Sequence, residues 1–174
     1  MSGALAPVLL IGGWSVAAAL QPPGYDPVRD TISALAGHAA TDRWVMTAAL
    51  ALLGACHIVT AAGLRAASRA SRIVHAVAGV ATILVAAFPL PATGTSSVHG
   101  LVAGVSLIGL AVWPAFSGLP GSRTAAAVLV ALLVWFGVQL YGDGGWIGLT
   151  ERLVAGAEAL YPLVAVAGSF RRRS

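Results

Sequence analysis

The sequence predicts an all-α polytopic membrane bundle. It has six transmembrane helices, both termini in the cytoplasm, and a short amphipathic helix in the first outer loop. Three observations predict this. Hydrophobic residues make up 58% of the chain and charged residues 9%, against roughly 25% charged in soluble domains. Mean hydropathy is +0.88, more apolar surface than a soluble core of 174 residues can use. The charges also fall between apolar runs rather than through them, and six of those runs approach the ~20 residues that cross hydrocarbon.

The runs are 4–20, 44–64, 73–90, 98–118, 124–141 and 152–170, in one transmembrane domain spanning 1–174. Residues 1–20 hold no Arg or Lys, unlike the charged start of a secretory signal, so the first run reads as a retained span. Pro22, Pro23 and Gly24 stop it. Gly63 and the stretch 65–72 stop the second, and Pro89 and Pro91 end the third. Pro120 and Gly121 follow the fourth, and the glycines at 142, 144 and 145 follow the fifth. Ser97 and Thr150 are placed to cap the fourth and sixth spans.

Arginine sets the orientation, since the chain has no lysine. Arg65, Arg69, Arg72, Arg123, Arg171, Arg172 and Arg173 fall on one side, and only Arg29, Arg43 and Arg152 on the other. Short loops rich in arginine stay in the cytoplasm. Asp26, Asp30, Asp42, Asp143 and Glu151 all lie in the outer segments, and Trp44, Tyr141 and Trp146 sit at the outer boundaries. Because the basic residues are dispersed among apolar runs, no face suits nucleic acid. Cys56 is the single cysteine, so no intrachain disulfide forms and its reading is a small buried hydrophobe. The runs 77–89 (VAGVATILVAAFP) and 102–114 (VAGVSLIGLAVWP) resemble each other; an inverted repeat would look this way, but shared Ala, Gly and Val composition explains it more simply.

The first outer loop, 22–44, is the most informative stretch. Asp26 before Pro27 reads as a helix N-cap, with Gly37 as the C-terminal stop. Tyr25, Val28, Ile32 and Leu35 recur on one face; Asp26, Arg29, Asp30 and Ser33 fall on the other. Such a helix either lies flat at the interface with Arg29 paired to Asp26, or covers the bundle and turns Arg29, Asp30 and Ser33 inward. Other polar groups converge at the same depth. His99 opens the fourth span, and Glu151 and Arg152 open the sixth. Glu158 follows Glu151 by two helical turns, about 10 Å deeper on the same face.

An ionisable residue inside a span is expensive, and is a candidate functional group by default. Glu158, His99, Asp30 and Glu151 therefore form the candidate catalytic set, with Glu158 and His99 as proton-transfer groups and Asp30 as orienter. Arg29, Arg152 and Ser33 are the candidate ligand-binding set, the two guanidiniums suited to a phosphate or carboxylate headgroup. The competing reading ties Glu158 to Arg152 as a packing contact. His57 and His75 sit nearer each other than the outer cluster and read as satisfied buried histidines or a proton pair. His38 reads as solvated. Gly100 and Gly104 read as close helix packing. No metal-ligand spacing, phosphate loop, nucleophile elbow or dinucleotide fingerprint occurs, so neither a metal nor a cofactor is expected.

The run GYDPVRDTISALA (24–36), His99 opening a span after the Phe88-Pro89 end, and GLTERLVAGAEALYPL (148–163) resemble domain-of-unknown-function family 998. That resemblance covers nearly the whole chain. It implies a small bacterial membrane protein of about six helices, in the cytoplasmic membrane, with Asp30, Ser33, His99 and Glu151 at characteristic polar positions. The family pattern carries an acid after the Phe-Pro pair, and 91–97 has none here. The family brings no established activity. Two functions follow from the residues: an outward-facing intramembrane acid–base site acting on a lipid or isoprenoid, or a non-catalytic small transporter, lipid-binding protein or membrane-complex subunit. Membrane lipids are the expected partners, and so small a bundle is also compatible with a homo-oligomer or a partner membrane protein.

Overall fold

The computed structural model describes residues 1–142 and 144–170. Arg171, Arg172, Arg173 and Asp143, on which part of the expected orientation rests, lie outside the described residues. Seven α-helices occur in chain order: α1 (Ser2–Ala19), α2 (Ile32–Leu35), α3 (Trp44–Gly63), α4 (Arg69–Ala87), α5 (Ser97–Val112), α6 (Ser122–Tyr141) and α7 (Ile147–Phe170). A 3-10 turn, Trp113–Phe116, extends α5, and no strand occurs among the described residues.

Helices α1, α3, α4, α5 and the 3-10 turn after it, and α6 give five candidate spans by length and apolarity. With so many apolar helices the chain is a multi-pass membrane protein. Helix α7 is 24 residues long and carries Glu151, Arg152 and Glu158 among its apolar residues. The six long helices pack as a ring. Each touches its neighbours in sequence, and α7 returns to α1 to close the circle. Outward positions such as Leu52, Val59, Leu101, Val134 and Val138 are more than half exposed, an apolar belt that suits hydrocarbon and not water.

The helix boundaries follow the sequence closely, with corrections at the caps. Helix α4 starts at Arg69, four residues before the expected 73, because the Ser68 hydroxyl accepts from the Ser71 N–H and caps it there. For α5 the cap is Ser96, which accepts from the His99 N–H, and not Ser97. Thr150 caps nothing. Helix α7 begins three residues earlier, and the Thr150 hydroxyl donates back to the Trp146 and Ile147 carbonyls. The expected helix after Asp26 shrinks to the single turn of α2, capped by Thr31. Asp26 instead accepts from the Val28 N–H in a local turn. A side chain that bonds its own backbone two residues on competes with helix, and here it wins.

Helices α3 and α4 pack backbone against backbone. A Cβ on Gly54 would come 2.5 Å from the Gly79 carbonyl oxygen, and one on Gly79 would come 2.8 Å from that of Gly54. Facing glycines let two backbones approach until they touch, which is how helices associate where lipid supplies no hydrophobic drive. Gly100 and Gly104 do not pack this way, contrary to expectation: nothing lies within 4 Å of a Cβ on either. Gly79 and Gly104 hold matching places in the two similar runs, so the runs are not packed alike. Gly54→Ala is expected to destabilise the fold by about 1–3 kcal/mol. Gly12→Ala, on an open face of α1, is expected to stabilise it by up to about 1 kcal/mol. Detergent unfolding followed by circular dichroism reads both, and equal stabilities would contradict the packing account.

Candidate functional site

The segment between α1 and α3 lies across one end of the ring and is fastened there by α7. Arg152 is the main clasp. Its guanidinium donates to the carbonyls of Pro27 (2.8 Å), Asp30 (2.7 Å) and Gly148 (2.9 Å), and to the Tyr25 hydroxyl oxygen. Glu151, buried beside it, accepts from the Ile32 N–H and from the Ser33 hydroxyl at 2.9 Å. Backbone adds two ties: Leu149 N–H donates to Val28 O at 3.0 Å, and His38 N–H to Leu90 O at 2.9 Å. Gly148 is required here, because a Cβ would strike the Asp30 and Pro27 carbonyls. Burial raises the Tyr25 phenol above its ordinary value, and the neighbouring Arg152 charge opposes that rise.

Beneath this cover the ring encloses a cavity of about 610 Å³. Its lining is mostly aliphatic, with Leu10, Leu50, Leu53, Val85 and Phe136 among the residues that border it. Ile108 on α5 and Val134 on α6 also border it and are more than half exposed. The lining thus runs out through the seam between α5 and α6 to the outer surface. Four of the groups expected at the site border the cavity, Ser33, His99, Glu151 and Glu158, and so does His57, which the sequence set apart from that cluster.

Glu158 is the unusual member. It is 1% exposed, and neither carboxyl oxygen has a hydrogen-bond partner among the described residues. Arg152 is engaged elsewhere, so the packing pair that sequence alone allowed does not form. His99 is buried, and its Nδ1–H donates to the Phe88 carbonyl oxygen at 2.9 Å. That bond fixes the tautomer and leaves Nε2 as the basic nitrogen.

The remaining site candidates are placed differently. Arg29 is exposed and pairs with Asp26 at 3.6 Å. The Asp30 carboxylate accepts from the Asp26 N–H at 2.8 Å, so this side chain shapes the cover. His38 is exposed, as expected. Cys56, expected to be buried, is half-buried. Thr82 and Ser106, hydrogen-bonded to each other at 2.7 Å, also border the cavity and were missed by the reading from sequence. Their signal was their hydroxyls inside apolar spans. Among the described residues no three of His, Cys, Asp and Glu gather closely enough to hold a metal ion.

A family model described as "Protein of unknown function (DUF998)" matches residues 4–168. The chain belongs to the DUF998 family. The match takes in α1 through most of α7, so the cover, the clasp and the cavity all lie inside the DUF998 region. No curated protein and no solved structure matches the chain.

The clasp gives a direct test. Glu151→Ala removes the acceptor of a buried backbone N–H, and a hydrogen bond to a carboxylate is worth about 1.5–3 kcal/mol. Amide exchange at Ile32, followed by mass spectrometry, is expected to quicken roughly 10- to 100-fold, with α3 and α4 unchanged. Unaltered exchange at Ile32 would mean that Glu151 does not hold the cover.

Proposed function

We propose that this DUF998 protein holds a membrane amphiphile, a lipid or an isoprenoid, in the cavity and exchanges a proton with its polar end. In this reading α7 is the sixth span, both termini lie in the cytoplasm, and the α2 end faces outward. The tail of the amphiphile enters through the α5–α6 seam, and its polar group meets Glu158. The observation that carries the reading is the Glu158 carboxyl. A buried acid without a hydrogen-bond partner costs several kcal/mol, and such a cost persists where a ligand or a reaction uses the group.

The chemistry of the residues fits acid–base work. A carboxyl in an apolar cavity has no fixed counter-charge, so its proton is free to pass to a bound hydroxyl, phosphate or amine. Nε2 of His99 is a second base on a residue that borders the same cavity. Glu151, Ser33 and Arg152 hold the cover that keeps water out, and Asp30 shapes that cover. Arg29 remains as an exposed guanidinium at this end, available to an anionic headgroup.

A second reading is favoured by one observation, that His57 borders the cavity as well as Glu158 and His99. A small transporter would use such a polar lining along its length. The two readings separate in one experiment. Amphiphiles retained by the purified full chain, and those in extracts of the producing membranes, are identified by mass spectrometry for the wild type, Glu158→Leu and Glu158→Gln. The acid–base reading expects an enriched amphiphile, lost at least about tenfold in Glu158→Leu. It also expects a chemically altered species that Glu158→Gln abolishes. Enrichment without an altered species would support binding or transport. Identical lipid profiles in all three proteins would overturn both.

A further inference from the structure

His57 on α3 and His75 on α4 form a buried pair that the amphiphile site does not itself require. His57 Nδ1 and His75 Nε2 lie 2.9 Å apart. The outer nitrogens of the pair, His57 Nε2 and His75 Nδ1, are buried and have no partner among the described residues. The two rings are therefore satisfied only by each other, where sequence favoured histidines satisfied by their surroundings. His57 borders the cavity. His75 is stacked face to face on the Trp113 indole, with ring centroids 4.4 Å apart and planes 6° from parallel.

We propose that His57 and His75 are a proton relay, which takes up at the cavity the proton that Glu158 exchanges. The relay rests on the amphiphile reading for its proton source. Each neutral imidazole carries one N–H, and one N–H lies between the rings. When His57 Nδ1–H donates to His75 Nε2, His57 Nε2 is the pair's free base and the other proton sits on His75 Nδ1. A proton arriving at His57 Nε2 lets the shared proton cross to His75 Nε2, so that the charge moves from the first ring to the second. The pair gains one proton and one positive charge, and no electron is transferred. The imidazolium formed on His75 then lies over the face of Trp113, within the distance at which an aromatic face stabilises a cation. Returning the proton reverses the steps.

The groups around the pair leave it as the proton acceptor. On α7, Glu158 borders the same cavity as His57, and the Tyr161 ring meets Trp113 at 5.2 Å. On α4 itself, Arg72 is turned to the Ala61 and Ala62 carbonyls. On α1, Ser2 meets Thr60 one turn below His57, next to the amino terminus. His99 on α5 is bound to Phe88, and Arg123 on α6 is exposed. No anion is hydrogen-bonded to either ring among the described residues, so the proton stays transferable.

The test is nitrogen NMR of the full chain labelled with 15N-histidine in phosphatidylcholine–phosphatidylglycerol vesicles. His57→Gln and His75→Gln assign the signals, and exposed His38 serves as the independent reference. The relay expects the His57 and His75 resonances to shift together in one step as the pH falls from 8 to 3. It also expects that step to change in position when Trp113→Leu removes the stacked indole. Fixed tautomers across that range, or two rings that titrate independently, would overturn it. Glu158→Leu separates the two ideas. A coupled step that survives in this variant while amphiphile retention is unchanged from wild type leaves the histidine coupling standing and removes the amphiphile reading. An amphiphile retained by the wild type and lost in Glu158→Leu, with fixed rings, removes the relay alone.

Discussion

Polar groups inside a membrane have no water to bond, so each must find its partner in the protein or be kept for use. The first turn of α7 is where this constraint is met most fully. Arg152 collects three carbonyls and a phenol, and Glu151 takes a backbone N–H and a hydroxyl. Together they fasten an irregular stretch of backbone that could not otherwise lie across the end of the ring. Two turns deeper on the same helix, Glu158 meets none of these requirements. The clasp closes the end of the cavity, and so makes the isolation of Glu158 possible.

The architecture around it explains why a cavity exists at all. Six helices in a ring leave a central space unless large side chains fill it. On the α3–α4 side, glycines bring the backbones into contact and close the space. On the α5–α6 side, Gly100 and Gly104 lack any neighbour within reach of a Cβ, and the space continues to the outer surface. One residue type thus does opposite things on two sides of the ring, according to whether another helix faces it.

Much of the fold was legible in the sequence because hydrocarbon imposes a simple rule of length and apolarity. The spans at 4–20, 44–64 and 124–141 match α1, α3 and α6 to within about two residues, the usual uncertainty of helix ends. Glu151, Glu158, His99 and Ser33 also proved neighbours of one cavity, because a two-turn spacing on one helix and a shared depth are visible in sequence. What was not legible depends on partners far along the chain. The residues 26–31 carry helix-start signals, yet Asp26 turns its carboxylate to its own backbone and Arg152 captures the carbonyls of Pro27 and Asp30. Likewise, the glycine pattern at 100 and 104 is identical to one that packs, and only the structure shows that nothing lies within 4 Å of a Cβ at either. The His57–His75 bond was foreseeable as proximity, but the stacking of Trp113 from the turn after α5 was not.

A density map of the full chain in lipid nanodiscs would decide whether the cavity is the membrane-facing site proposed above, with Glu158 as its working acid. Elongated density is expected to enter between α5 and α6 past Ile108 and Val134 and to end at the Glu158 carboxyl. A closed seam, with Glu158 hydrogen-bonded to Arg152 or to a neighbouring helix and no density beside it, would overturn the proposal.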